Sequence, residues 1–415
     1  MNFSSDGEKK IFTAQKMVFG GDCLGKIDGK NVFVPYAVPG EKLEVQVERS
    51  FKDYDEARIT KILEASPRRQ LPACPLYQKC GGCNLMHIDY DFQLELKKGI
   101  LVELMERAGV EIPAVEILAG NPLGYRSRFQ LHDGGMEGRA SNQVIPIQGC
   151  PVAVAQINEW LKETPLSGRP KGKGFLFGHQ KAEPSLSFAA DFEKKAPPAK
   201  APKKNGGKKK RGDKVPPARF EGISQEAQSP VEIRLLEKSV AFDARGFFQS
   251  NIDLLEKAVP LICQGLSGKN ALDLYSGAGT FSVFLADAFE NVVMVEQSRA
   301  ALVYAERNMA GKKHASYGIS GADFAKRHAE DLSRQIGGFD AAVADPPRAG
   351  IEREALDWLC KSGIPVIKYL SCNPSTQARD LKKLQDAGYK VGGLTLLDFY
   401  PQTGHLESLA TCIKK

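Results

Sequence analysis

The chain has 415 residues, 42% hydrophobic and 26% charged, enough for two or three domains that each bury a core. No apolar run approaches the roughly 18 residues of a membrane span, and the start has no hydrophobic signal region, which points to a soluble, cytoplasmic protein. The net charge of +7 is local: ten Lys or Arg and one Asp fall between Lys194 and Lys214, so the remainder is slightly acidic and no globular part is strongly basic.

Residues 11–65 read as short strands with tight turns. Asp28-Gly29 lies between Leu24–Ile27 and Val32–Val34, a hairpin signal, while Leu43, Val45 and Val47 alternate with Glu44, Gln46 and Glu48 as in a half-buried strand. This predicts a compact β-barrel of the oligonucleotide-binding kind over 1–66; a sheet appendage without a ligand fits the pattern equally. A central domain is expected over 67–188, returning at 219–243, with a helix over Tyr90–Ala108. Between its parts, 189–218 is rich in Lys, Pro, Ala and Gly and cannot offset its ordering entropy by burial. It reads as a disordered linker or inserted loop, with RNA tethering by counterion release as a secondary role.

The nine cysteines are an odd number in a chain without a signal peptide, which argues against a disulfide framework. Cys74, Cys80 and Cys83 are separated by five and two residues, and Cys150 follows 67 positions later. Gly81 and Gly82 let the short loop wrap a metal centre. Four thiolates hold zinc or an iron–sulfur cluster, and spacing does not decide between them. Nearby, Tyr125-Arg126-Ser127-Arg128 offers phosphate and base contacts, or is an ordinary basic strand.

From 244 to 415 strands and helices alternate. Strand candidates are Ala271–Leu274, Val292–Val295, Ala341–Ala344 and Val366–Leu370, with helices over Ala300–Met309 and Ala355–Lys361. The pattern predicts an α/β domain with a doubly wound, mostly parallel sheet. Gly277 and Gly279 follow the first strand, but the third glycine of a dinucleotide fingerprint is replaced by Ser282. Glu296 ends the next strand, where a carboxylate can accept from both ribose hydroxyls. Together these fit an S-adenosylmethionine fold better than a dehydrogenase. Asp345-Pro346-Pro347-Arg348 is a stiff acidic turn after the third strand.

Cys372 sits at a strand end before a helix expected over Thr376–Gln385, capped by Asn373 or Ser375, and the helix dipole is expected to lower its thiol pKa. His405 and Glu407 are expected in a turn after a further strand. A thiolate and a carboxylate beside a methyl donor suit methylation of an unactivated vinylic carbon. Uracil C5 is a weak nucleophile; a thiolate adding to C6 makes C5 nucleophilic, and a base must then remove the C5 proton. Cys372 is the expected nucleophile and Glu407 the expected base. Amine methylation needs no thiol, whereas cytosine C5 could use the same chemistry; a non-catalytic RNA-binding module leaves both residues unexplained.

FFQSN (Phe247–Asn251), DLYSGAGTF (Asp273–Phe281), Glu296, DPPRAG (Asp345–Gly350), SCNPST (Ser371–Thr376) and HLE (His405–Glu407) together resemble the S-adenosylmethionine-dependent RNA 5-methyluridine methyltransferases. Ser276 and Thr280 depart from residues common in that family. The resemblance implies a class I methyltransferase fold with S-adenosylmethionine contacted by Gln249, Tyr275, Thr280, Glu296 and Asp345. It implies Cys372 as nucleophile, Glu407 as base, and a 4Fe-4S cluster rather than zinc on Cys74, Cys80, Cys83 and Cys150. The first 66 residues resemble the family's TRAM domain. RNA is the implied partner, ribosomal favoured over transfer RNA, with Arg126, Arg128 and Arg348 as candidate contacts; nothing in the sequence demands more than a monomer.

Overall fold

The computed structural model describes residues 9–190 and 230–415. The Lys- and Pro-rich insert beyond residue 190 lies outside them.

The N-terminal sheet contains β1 (Lys9–Thr13), β2 (Lys16–Met17), β3 (Cys23–Ile27), β4 (Lys30–Val34), β5 (Lys42–Ser50) and β6 (Tyr54–Glu64), in the order β1-β5-β6-β4-β3-β2. Asp28 and Gly29 both have positive φ, 51° and 83°, as a two-residue β3–β4 turn requires. Cys23, Val32, Val34, Leu43 and Val45 are fully buried, and register shifts between β5 and β6 bend the sheet around them. Helix α1 (Tyr90–Arg107) starts at Asp89, whose carboxylate accepts from Phe92 N–H.

Strand β7 (Val115–Leu118) departs from the domain boundaries expected from sequence. It pairs in parallel with the edge of the C-terminal sheet, so 90–118 packs with the C-terminal domain and not with the central one. The physical reason is shared burial: Leu101 and Met105 of α1 and Val115 of β7 lie in one core with Leu381 and Leu384. Three small sheets follow, built from β8 (Arg128–His132), β9 (Met136–Glu137), β10 (Val144–Ile145), β11 (Lys173–Gly178), β12 (Ala182–Glu183), β13 (Leu186–Ala190), β14 (Pro230–Leu235) and β15 (Lys238–Asp243). Helix α2 (Ala155–Glu163) packs against β11.

The C-terminal domain runs α3 (Ile252–Cys263), β16 (Gly268–Leu274), α4 (Ser282–Leu285), β17 (Phe289–Val295), α5 (Arg299–Asn308), β18 (His314–Tyr317), α6 (Gly321–Phe324), α7 (Glu330–Ile336), β19 (Ala341–Ala344), α8 (Arg353–Lys361), β20 (Val366–Ser371), α9 (Pro374–Asp386), β21 (Tyr389–Leu397) and β22 (Glu407–Lys414). Its sheet has the order β18-β17-β16-β19-β20-β22-β21-β7. All pairs are parallel except those of β22. All four residues of β19 are buried, because a parallel sheet is covered on both faces.

Candidate active site

From β16 the chain builds β17 and β18 to one side of the sheet, then crosses to β19 on the other. Ligands of open α/β sheets gather beyond the carboxyl ends flanking such a reversal. Here the turn after β16 places Tyr275, Gly277 and Gly279 at φ 68°, 56° and 77°. Tyr275 adopts this costly conformation because its own N–H and that of Ser276 both donate to Val295 O, at 2.8 and 3.1 Å. A Cβ on Gly279 would stand 3.1 Å from Ala305 Cα, so only glycine lets the turn close on α5.

Glu296, just past β17, accepts from Gly277 N–H at 3.0 Å and from Ser298 N–H at 2.6 Å. Both oxygens keep acceptor capacity for a further donor. Thr280 is half-buried in the same turn. Four buried atoms in the matched motifs, Gln249 Oε1, Ser250 Oγ, Asp273 Oδ1 and Ser276 Oγ, have no partner within the protein. Buried polar atoms left unpaired are costly, so they mark a place for a polar ligand.

Asp273 and Glu352 received no role from sequence. Asp273 is 1% exposed at the end of an apolar strand, takes a hydrogen bond from the Ser282 hydroxyl, and is pushed up to about 7 by burial. An acid inside an ALDL strand was the available signal. Glu352 accepts from Tyr275 OH at 2.9 Å and from Ala322 N–H at 3.0 Å, bracing the strained turn. It carried no signal, since it lies outside the matched stretches.

Asp345 follows β19, and its N–H donates to Leu274 O at 3.3 Å. Burial, then the Asp273 charge, raise its carboxyl to about 7. The carbonyl of exposed Arg348 accepts from Asn373 Nδ2 (3.0 Å) and Thr376 Oγ1 (3.2 Å), clipping the proline turn to the start of α9.

Strands β20 and β22 are antiparallel, with Ser371 opposite Ser408. Cys372 follows this last pair on one side and Glu407 precedes it on the other, and the Glu407 charge acts on the Cys372 thiol. Glu407 is the first residue of β22 and not part of the preceding turn, as the sequence had suggested. Only 3% exposed, its carboxyl is raised to about 8 by burial, then by Asp345, while a hydrogen bond from the Gln249 amide opposes the shift.

The Cys372 thiol is shifted upward, opposite to the expected dipole effect. Burial is the largest cause, followed by the charges of Glu407 and Asp345, with Arg348 opposing. Asn373 caps α9, accepting from Ser375 N–H at 3.1 Å.

Cys74, Cys80, Cys83 and Cys150 line one cavity, together with Arg126 and Tyr77. Among the described residues no three His, Cys, Asp or Glu groups close to single-ion geometry, and all nine cysteines are free. Arg126 Nε donates to Arg128 O at 3.1 Å, and its guanidinium lies 5.1 Å from the Phe129 ring centroid. Arg128 donates to the carbonyls of Ala244 and Arg245, at 3.4 and 3.2 Å. Both arginines are thus half-buried and engaged within the protein, whereas Arg348 is exposed.

The parallel sheet with its reversal, acid-ended strands and Gly-rich turn is a methyltransferase fold. A tRNA (uracil-54, C5)-methyltransferase from Pyrococcus abyssi, solved with S-adenosyl-L-homocysteine, superposes with a TM-score of 0.69 over 97% of this chain and 99% of its own, at 24% identity. Residues 237–415 match the tRNA (Uracil-5-)-methyltransferase family. An uncharacterized RNA methyltransferase from Treponema denticola is 34% identical, covering 97% of this chain and 98% of its own length. A 23S rRNA (uracil(1939)-C(5))-methyltransferase, RlmD, from Shewanella amazonensis is 31% identical over 97% and 95%. The chain belongs to the RNA 5-methyluridine methyltransferase family. No helix among the described residues is long and apolar enough to cross a membrane.

Proposed function

We propose that this enzyme methylates C5 of a uridine in structured RNA, with 23S ribosomal RNA as substrate. The observation that carries the proposal is the closeness of Cys372, just past β20, to Glu407 at the start of β22, with Asp345 just past β19 acting on both. Gln249, Tyr275, Thr280, Glu296 and Asp345 would hold S-adenosylmethionine, and the unpaired atoms of Gln249, Asp273 and Ser276 fit a ligand with several polar groups. When bound, that cofactor supplies an electrophilic methyl group.

The remaining chemistry belongs to the side chains. The part-exposed Cys372 thiol gives its proton to solvent, and the thiolate sulfur adds to C6 of the uracil, moving the C5=C6 pair onto C5 as the carbon nucleophile. After methylation, Glu407 takes the proton from C5, the C5=C6 bond reforms, and the C6–S pair returns to sulfur. Glu407 must be ionised for this step, and its raised pKa makes it a base poised near neutral pH.

Ribosomal RNA is favoured because, at equal 97% coverage of this chain, the RlmD relative is 31% identical and the Pyrococcus abyssi tRNA enzyme 24%. The N-terminal sheet is read as a TRAM-type RNA-binding module, and Arg348 as the most accessible of the three arginine contacts. A 4Fe-4S cluster on Cys74, Cys80, Cys83 and Cys150 fits better than zinc. That preference rests on the family resemblance; what supports a shared site is that the four thiols line one cavity. The proposed reaction transfers no electrons, so the cluster's role would be to brace the fold or to orient RNA.

The test is nucleoside mass spectrometry after incubating anaerobically purified protein with S-adenosylmethionine and RNA lacking 5-methyluridine, with ribosomal and transfer fractions separate. New 5-methyluridine in the ribosomal fraction supports the proposal; its appearance only in transfer RNA changes the substrate. Methylation on nitrogen or ribose overturns the roles of Cys372 and Glu407.

A further inference from the structure

The residues that carry Glu407 do not hold their shape alone. Between β21 and β22 the chain crosses 398–406, where Gln402 adopts a left-handed φ of 67°. Its backbone is read from both sides by residues just beyond the cysteine loop. Asn84 N–H and Leu85 N–H donate to Gln402 O at 3.1 and 3.0 Å. The Gln93 amide makes a reciprocal pair with Gln402, donating to Oε1 at 3.0 Å and accepting from its N–H at 3.1 Å.

Asn84 does more than its neighbours. Its Oδ1 accepts from Gly404 N–H at 2.7 Å, and its Nδ2 donates to Gly20 O at 2.7 Å in the β2–β3 turn of the N-terminal sheet. A Cβ on Gly404 would fall 2.2 Å from Gly20 O, so the two turns touch, and the Asn84 amide joins their facing polar groups. Asn84 also directly follows Cys83 of the thiol cavity. One side chain therefore stands where the N-terminal sheet, the cysteine loop and the base-bearing loop meet, three residues before Glu407.

We propose that Asn84 is a positioning residue for proton abstraction: by holding Gly404 against the N-terminal sheet it fixes where β22 begins, and with it the Glu407 carboxylate. The inference rests on the proposed uracil C5 chemistry. In that chemistry the base acts last: the C5–H bond breaks, its proton goes to Glu407, its electron pair forms C5=C6, and the C6–S pair leaves with Cys372. A misplaced base slows this elimination more than the preceding addition, so the methylated RNA stays bonded to Cys372.

The experiment compares full-length wild type, Asn84→Ala and Asn84→Asp with S-adenosylmethionine and the RNA that wild type methylates. Two quantities are read: covalent protein–RNA adduct on a denaturing gel, and 5-methyluridine released. Asn84→Ala is expected to lower turnover roughly ten- to a hundredfold while accumulating several times more adduct than wild type. Asn84→Asp keeps the acceptor for Gly404 N–H but loses the donor to Gly20 O, and is expected to accumulate adduct at a level between alanine and wild type. Wild-type adduct levels in Asn84→Ala, adduct formation and turnover falling in step, or alanine and aspartate behaving alike would each overturn the proposal. Asn84→Ser, too short to span both turns, replaces the alanine variant if melting curves show that alanine does not fold. Absence of 5-methyluridine with wild type would instead refute the proposed reaction.

Discussion

Cys372 shows how far a residue's surroundings can reverse the effect of its local sequence. Position before a helix argues for a lowered thiol pKa, yet burial first, then the Glu407 and Asp345 charges, shift it upward. The sign is testable. Glu407→Gln removes a negative neighbour, so the Cys372 thiol pKa should fall and its alkylation, followed by peptide mass, should become several-fold faster above about pH 8. Below pH 7 Glu407 is largely protonated in the wild type, and the difference should vanish. Cys372→Ala should abolish 5-methyluridine formation while S-adenosylmethionine binding by calorimetry stays within about twofold of wild type, since the thiol belongs to the methyl acceptor's side.

At the scale of elements, α1 is tied to the loop between β21 and β22 by charges hidden from water. Lys97 Nζ lies 2.6 Å from Asp398 Oδ1 and donates to Tyr400 O at 3.0 Å, while Tyr90 OH donates to Asp398 Oδ2 at 2.8 Å. The Lys97 and Asp398 side chains are 2% and 1% exposed. Breaking such a pair strands a buried charge, whereas replacing both partners with apolar groups is often neutral. Lys97→Met is therefore expected to cost about 3–5 kcal/mol in urea unfolding, and Lys97→Met with Asp398→Leu to recover most of that. Equal destabilisation by the single and double variants would contradict the assignment of the cost to the stranded charge. The helix itself was legible over Tyr90–Ala108, but its attachment was not: Lys97 reads as an ordinary surface lysine until Asp398, 301 positions on, is placed beside it.

Across the whole molecule, the thiol cavity and the base are joined through one strand segment. Arg126 N–H donates to Val152 O at 2.7 Å, beside the Cys150 loop, and Ser127 N–H donates to Ser250 O at 2.7 Å, next to Gln249. Gln249 in turn donates to Glu407. Four cysteines at one cavity predict iron and acid-labile sulfide in anaerobically purified protein, and Cys83→Ser should lose most of both. Zinc in place of iron would refute the cluster. Deleting Lys194–Lys214 removes ten cationic side chains and should flatten the salt dependence of RNA binding without lowering the yield of folded protein. An unchanged slope would show that the insert does not touch RNA.

Local pattern was enough for much of this protein. The β3–β4 turn follows from Asp28-Gly29, the parallel strands from short apolar runs closed by Gly or Pro, and the cap of α9 from Asn373-Pro374, because each is decided by neighbours along the chain. The motifs also named Cys372, Glu407, Glu296 and Asp345 before any of them had a position. The addition of β7 to the C-terminal sheet, the antiparallel β20–β22 ladder that brings Cys372 and Glu407 to one edge, the upward shift of the thiol and the meeting of Gly20, Asn84 and Gly404 were decided only by tertiary structure. Burial, charge proximity and hydrogen-bond partners depend on distances through space, and residues tens to hundreds of positions apart leave no periodic trace of them in the sequence.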